Sequence, residues 1–180
     1  MYQERIGRVL AAMEQMGLEQ MIVSDPDSIW YLTGYYVFPF ERLFALYLRR
    51  DGKHKLFLNK LFPVPEVPYE QVWFSDTDDY LAILAENVDG TKPMGIDKEW
   101  PARFLLPLMA HNPGSRCVLA SACVDDARAC KDETERELMR AASRINDTVM
   151  ERAAAFMREG MMEREVADFI IAPVSYTHLR

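Results

Sequence analysis

An α/β domain with a mixed sheet flanked by helices, followed by a long connector helix, is the fold class this sequence predicts. Short apolar runs at Met21 to Val23, Val72 to Phe74, Met94 to Ile96 and Cys117 to Leu119 alternate with stretches of helical period. One hairpin signal, Asp51-Gly52, sits between two longer strand patterns, so part of the sheet must be antiparallel. From Asp132 to Glu159 the apolar residues step by three or four without a break, which is the pattern of one long helix.

In chain order, Ile6, Val9, Leu10 and Met13 fall at helical spacing and Gly17 follows as a stop. Met21-Ile22-Val23 reads as a buried strand, because a wholly apolar run suits a strand covered on both faces. Asp25 to Arg42 (DPDSIWYLTGYYVFPFER) is expected to form a long loop. Its aromatic content argues against disorder. It is either an aromatic plug over one end of the sheet or a substrate-facing loop. Leu43 to Arg49 and Leu56 to Asn59 are strands, with Gly52 supplying the positive φ of the turn between them. Leu61 to Tyr69 carries Pro63, Pro65 and Pro68 and cannot lie inside a sheet. Asp78 or Asp79 caps a helix through Leu81, Leu84 and Ala85. Pro101 suits the first turn of a helix running to Met109.

Asp132 with Glu135 resembles a capping box, with Asp in the Ser/Thr role. Leu138, Ala142, Ile145, Val149, Ala153 and Phe156 form one apolar stripe, and Gly160 ends the helix. At its usual rise such a helix spans roughly 40 Å, long for a small domain and suited to connecting two. A shorter helix begins near Glu163 and is expected to break at Pro173. Val174 to Arg180 (VSYTHLR) has no period and looks like a translated sequencing adapter, a tail foreign to the natural chain.

The chain has 180 residues, enough for one domain and part of another, and its 49% hydrophobic content supports a sizeable core. Its formal net charge is −7 and no Lys/Arg-rich patch stands out, which argues against nucleic acid. No apolar run approaches the ~20 residues of a membrane span. Met1 to Leu10 is charged and helical in pattern, so no signal peptide is expected. Cys117, Cys123 and Cys130 lack C-x-x-C spacing and are expected to be free thiols in a reducing cytoplasm, Cys123 and Cys130 as packing residues.

No catalytic or metal-binding constellation emerges from residue types and spacing. Asp76, Asp78 and Asp79 cluster, but before a helix, where carboxylates cap exposed N–H groups. Asp125-Asp126 likewise sit just before a helical segment. His54, His111 and His178 are far apart in sequence, and H-E-x-x-H, G-x-S-x-G and glycine-rich phosphate motifs do not occur.

YLTG at Tyr31 to Gly34, preceded by MIVS and DPDSI, resembles the N-terminal domain of the creatinase/prolidase group of metallopeptidases, the Xaa-Pro dipeptidases and aminopeptidases P. A second block, R-x-x-K-D-E-x-E-x-x-x-M-R-x-A from Arg128 to Ala142, is similar to the family's lead into its catalytic domain. PxER at Pro39 to Arg42 points toward bacterial Xaa-Pro dipeptidases. The resemblance implies a creatinase/prolidase-like domain over 1–125. It implies a connector helix and the start of a truncated catalytic domain over 126–172, with 173–180 as the foreign tail. It implies a full-length, homodimeric enzyme that hydrolyses the bond before proline in short peptides. Two divalent ions (Mn, Co or Zn) would be held by residues of the missing catalytic domain and none by this fragment. The alternatives are a creatinase-like C–N hydrolase and a metal-free binding module of the same fold. In relatives the loop after YLTG reaches toward the partner's site, often as D-P-H-E-R. Here it reads Phe38-Pro39-Phe40-Glu41-Arg42. Phe38, Phe40, Glu41 and Arg42 are thus the substrate-loop candidates. Phe38 and Phe40 replace the common Asp and His, which implies more apolar substrates.

Overall fold

The computed structural model describes residues 2–64 and 69–177, the side chains of 172–177 excepted. Pro65, Pro68 and His178 lie outside the described residues. The chain divides into two compact units, Met1–Cys130 and Lys131–Arg180.

The first unit contains α1 (Gln3–Gln15), β1 (Gln20–Val23), α2 (Pro26–Thr33), β2 (Ala45–Arg49), β3 (Lys55–Asn59) and β4 (Glu70–Phe74). It continues with α3 (Tyr80–Asn87), β5 (Met94–Ile96), α4 (Ala102–His111), β6 (Cys117–Leu119) and α5 (Ala122–Ala129). The strands form one six-stranded mixed sheet in the order β4-β3-β2-β1-β5-β6. β2 runs antiparallel to both β1 and β3, while β3–β4, β1–β5 and β5–β6 are parallel.

Alternation along the central strands divides the core in two. Met21, Val23, Leu46, Leu48, Leu56 and Leu58 face a layer that holds Ile6, Val9 and Met13 of α1, Ile29 and Leu32 of α2, and Val124 of α5. Ile22, Ala45, Tyr47 and Phe57 face the other layer, with Leu84 of α3 and Phe104 and Leu108 of α4. Each such side chain removed from water contributes roughly 1.5–3 kcal/mol. Gly95 has no room for a side chain: a Cβ there would lie 3.0 Å from Ala120 Cβ and 3.1 Å from Leu18 Cδ1. The interior strand β5 therefore depends on glycine to let its neighbours close in.

The structure corrects the expected long loop. Its first half is α2, with Asp25 accepting from the backbone N–H groups of Asp27 and Ser28, Pro26 at the first helical position, and Gly34 left-handed at φ 82° as the stop. Asp125 and Asp126 lie inside α5 rather than before it. Cys123 is buried but Cys130 is exposed, so only the former is a packing residue. Asp79 is the cap of α3, accepting from Ala82 N–H. Asp78 instead closes a turn by accepting from Ser75 N–H and Oγ–H.

The second unit is a pair of helices, α6 (Glu133–Phe156) and α7 (Glu163–Thr177). Both halves of the Asp132/Glu135 capping box form. The long helix ends at Phe156, short of Gly160, whose φ of 83° serves the connection to α7. Phe156 stacks on Phe169 with ring centroids 4.2 Å apart. α7 continues through Pro173 to Thr177, against the break expected at the proline. Residues 178–180 lie outside the described residues. Of the stripe on α6, Val149 and Ala153 are buried but Leu138 is 66% exposed, and Met139, Met150, Met157, Met162 and Ile171 are exposed as well.

Such exposed apolar surface promotes association. The 180-residue chain is expected to self-associate with rising concentration in sedimentation velocity, and the chain ending at Cys130 is expected to remain monomeric. A monodisperse monomer for the longer chain at high concentration would contradict this.

His54 gives a second expectation. Its Nδ1 accepts from Arg49 N–H across the β2–β3 turn, 3.2 Å away. Burial, only partly offset by Asp51, lowers its pKa below the ordinary 6.5. The unfolded chain then takes up the proton first as pH falls, so this contribution to stability is present above pH 6.5 and is lost below it. Replacing His54 by Asn, which keeps an acceptor but does not titrate, should flatten the fall in Tm between about pH 7 and 5.5. Parallel Tm curves for the two proteins would contradict the assignment.

Candidate functional site

The site is set by where β1 and β5 end. β1 and β5 are parallel neighbours, yet α2 leaves β1 on one face of the sheet and α4 follows β5 on the other. A crevice opens between such strands at their carboxyl ends, the usual place for a ligand in an open α/β sheet. Asp97, directly after β5 and only 7% exposed, fastens the two exits together. Its carboxylate accepts from Ser24 N–H and Ser24 Oγ–H, from Asp25 N–H at 3.0 Å and from Glu99 N–H at 3.2 Å. Asp25 then caps α2 and accepts from Arg128 Nη1 at 2.9 Å, and the same nitrogen also donates to Ser28 Oγ.

Beyond Gly34 the chain runs without regular structure to β2. Val37 is buried at 7% exposure and Phe44 at 2%, so the segment is pinned at both its middle and its end. Around those pins the remaining aromatics face outward. Trp30 and Tyr36 make an edge-on pair at 6.5 Å, and Phe38 and Phe40 another at 4.8 Å. Phe38 is 61% and Phe40 73% exposed. Arg42 N–H donates to Pro39 C=O at 3.0 Å, closing a tight turn over Pro39 to Arg42. Within it Phe40 has φ 53°, the one positive φ among the described residues other than glycines. A side chain in this region is strained.

The four loop candidates therefore divide. Phe38 and Phe40 come together at the surface. Glu41 is exposed, with its carboxylate 3.4 Å from Arg42 Nη1. Arg42 turns to Asp76 at the surface. Nε donates to Oδ1 at 3.0 Å and Nη2 to Oδ2 at 2.9 Å, a two-toothed pair. Asn59 Nδ2 donates to the same Oδ1 at 2.7 Å. The hydrogen bonds from Arg42, ahead of that from Asn59, hold the Asp76 carboxyl below its ordinary pKa, and Asp76 in turn raises that of Arg42. Asp76 is thus the partner of Arg42 and not a helix cap. From α4, Arg103 donates to Glu41 C=O while its guanidinium lies over the Phe104 ring.

Under the loop is a cavity of about 240 Å³ lined by Phe38, Phe40, Phe44, Trp100, Arg42 and Arg103 among others. Trp100 is 7% exposed and its Nε1–H has no partner among the described residues. The cavity is mainly aromatic, with charges of both signs at its edge, Arg42 and Arg103 beside Asp25 and Glu99. His54 lies in the turn before β3, at the opposite end of the sheet, and among the described residues no group of three or more His, Cys, Asp or Glu is placed to hold a metal ion. No described helix is long and apolar enough to cross a membrane. Asp76, Asn59, Trp100 and Arg103 carried no local signal in the sequence, because each acts on a segment distant along the chain.

The first unit is thus a mixed α/β domain that carries an aromatic loop at the carboxyl ends of β1 and β5. Residues 5–130 match the Creatinase/Prolidase N-terminal domain model, and the chain belongs to that family. An uncharacterized peptidase of Staphylococcus aureus (strain MSSA476) is 28% identical over 173 residues, 92% of this chain and 48% of that protein. The recombinant prolidase of Thermococcus sibiricus is 25% identical with a TM-score of 0.86, over 99% of this chain and 50% of that one. Dipeptidase PepE of Mycobacterium ulcerans is 26% identical with a TM-score of 0.80, over 96% and 49% respectively. The chain spans about half the length of the curated relatives it matches.

The strain at Phe40 makes an unusual stability expectation. Phe40→Asn trades a solvent-exposed ring for a residue that tolerates φ > 0, so it should change stability by less than about 0.5 kcal/mol. Phe44→Ala, three positions beyond Glu41 and buried, should cost about 3–5 kcal/mol. Urea titration of the two variants checks this, and a loss above about 1.5 kcal/mol for Phe40→Asn would make Phe40 a structural residue.

Proposed function

We propose that this chain is the N-terminal, non-catalytic part of an Xaa-Pro dipeptidase-like metallopeptidase, an enzyme that hydrolyses the bond before proline in short peptides. One observation carries the reading: the match of residues 5–130 to the family model, on a chain spanning half of relatives named as peptidase, prolidase and dipeptidase. On this reading residues 126–172 are the connector and the start of the catalytic half, and residues 173–180 lie outside the functional protein. Residues of the catalytic half would hold two divalent ions (Mn, Co or Zn), which would supply Lewis-acid polarisation of the scissile carbonyl and a hydroxide nucleophile near neutral pH. The enzyme is a cytoplasmic homodimer in which the loop from Phe38 to Arg42 borders the partner's substrate site.

The residues of this chain then bind and exclude. Phe38 and Phe40 offer an apolar wall, where an Asp and a His would offer charge. A wall of this kind favours an apolar first residue, since burying a charged one unpaired is unfavourable. Glu41, exposed at the edge of the wall, suits the free amino group of a dipeptide.

The gene read beyond codon 172 and expressed with its downstream half is expected to hydrolyse Leu-Pro and Met-Pro in the presence of Mn²⁺, and to prefer them to Asp-Pro. The 180-residue chain with the same ion is expected to show no turnover above a control without protein. Failure of the extended protein on every Xaa-Pro dipeptide with Mn²⁺, Co²⁺ and Zn²⁺ would overturn the proposal.

A further inference from the structure

Arg42 would be the natural residue of the loop to hold a substrate carboxylate, because a guanidinium offers two parallel donors. Its geometry points elsewhere. Nε and Nη2 are both committed to Asp76, and Nη1 lies 3.4 Å from Glu41. Asp76 is itself held from below by Asn59, which is 1% exposed and whose Oδ1 accepts from Leu61 N–H. The pair is thus anchored to the end of β3 and the exit of β4, and Arg103 reaches from α4 to the carbonyl one residue before Arg42. Three elements of the sheet-and-helix framework converge on a turn of four residues.

That turn is the place where the backbone is strained, at Phe40 with φ 53°. Phe40 is too exposed for core packing to hold it there. A strained conformation persists only where its surroundings over-determine it. The groups that do so here are the two arginines and Asp76.

We infer that Asp76 is a positioning residue: with Arg42 and Arg103 it holds the turn Pro39 to Arg42 in its left-handed conformation, so that Phe38 and Phe40, and not the Arg42 guanidinium, form the face that meets substrate. The latch stands on the geometry of this domain. The role of the face it presents rests on the function proposed above.

Hydrogen exchange of the 180-residue chain, followed amide by amide, tests the latch. Asp76→Ala and Arg42→Ala should each speed exchange of the Arg42 amide, which closes the turn, by roughly three- to tenfold, the loss expected of a partly exposed two-toothed ion pair. The double variant should be no faster than either single one, because both remove the same bond. Asp76→Glu should restore part of the protection. Strand amides of β1 and β2 should not change. Unchanged exchange at Arg42, additive effects in the double variant, or loss of protection throughout the sheet in both Asp76→Ala and Asp76→Asn would each overturn the inference. In the extended enzyme the same Asp76→Ala change should raise KM for Leu-Pro several-fold with kcat changing less, and Asp76→Glu should recover it. Equal loss in kcat and kcat/KM would overturn the positioning role. An extended enzyme inactive on all Xaa-Pro dipeptides would instead overturn the proposed function, while the exchange data would still decide the latch.

Discussion

The carboxylate of Asp97 is the tie on which the carboxyl end of the sheet depends. Buried at 7% exposure, it gathers donors from Ser24, Asp25 and Glu99, and so locks the exit of β1 to the exit of β5. A buried charge is tolerable only when it is hydrogen-bonded on all sides, and here backbone N–H groups and a hydroxyl do this. Everything downstream follows from the direction that β1 is given at this point. Asp25 is presented as a cap, α2 starts at once, and its Ile29 and Leu32 meet α1 and α5 in one core layer. Tyr31 donates from its hydroxyl to Ala127 C=O at 2.9 Å, and Arg5 lies over the Tyr31 ring, so the helix is held at its far end as well.

With the helix fixed, the segment after Gly34 has no freedom to fold back into the core. Val37, Leu43 and Phe44 are buried, and Phe38, Phe40 and Glu41 between them are left outside. In most domains a run of aromatics would be the core. Here the core is already filled by the sheet and its helices, and Trp30, Tyr36, Phe38 and Phe40 remain on the surface in two edge-on pairs. Local and global preferences conflict at this loop and agree almost everywhere else, and such conflicts concentrate where a protein binds something. Holding the exposed rings in one arrangement requires polar fasteners, since apolar burial cannot supply them. The Arg42–Asp76 fork and the Arg103 bond to Glu41 C=O are those fasteners.

Much of the fold was legible in local pattern. The three-and-four spacing of α1, the Asp51-Gly52 hairpin, the Asp79 cap and the Asp132/Glu135 capping box all form as their residues imply. These features are decided by neighbours a few residues apart, which is why a sequence displays them. α2 is equally marked, by Asp25, Pro26 and Gly34, yet it lies in an aromatic-rich stretch that as a whole has the length and composition of a loop. Pro173 has the local signature of a breaker, but α7 runs through it.

The sequence by itself determined the alternation of strands and helices, the apolar faces, and the family blocks at Tyr31–Gly34, Pro39–Arg42 and Arg128–Ala142. Only the tertiary structure decided which charges would meet. Arg42 and Asp76 are separated by 34 positions, and Ser24 and Asp97 by 73. Nothing in either residue's neighbourhood specifies its partner. Asp76 reads as one more carboxylate before a helix until β3 and β4 pair in parallel register, Asn59 opposite Phe74, and bring it up to Arg42. Side chains with a free choice of partner in sequence have that choice removed by strand register, because register fixes which ends of the sheet lie side by side.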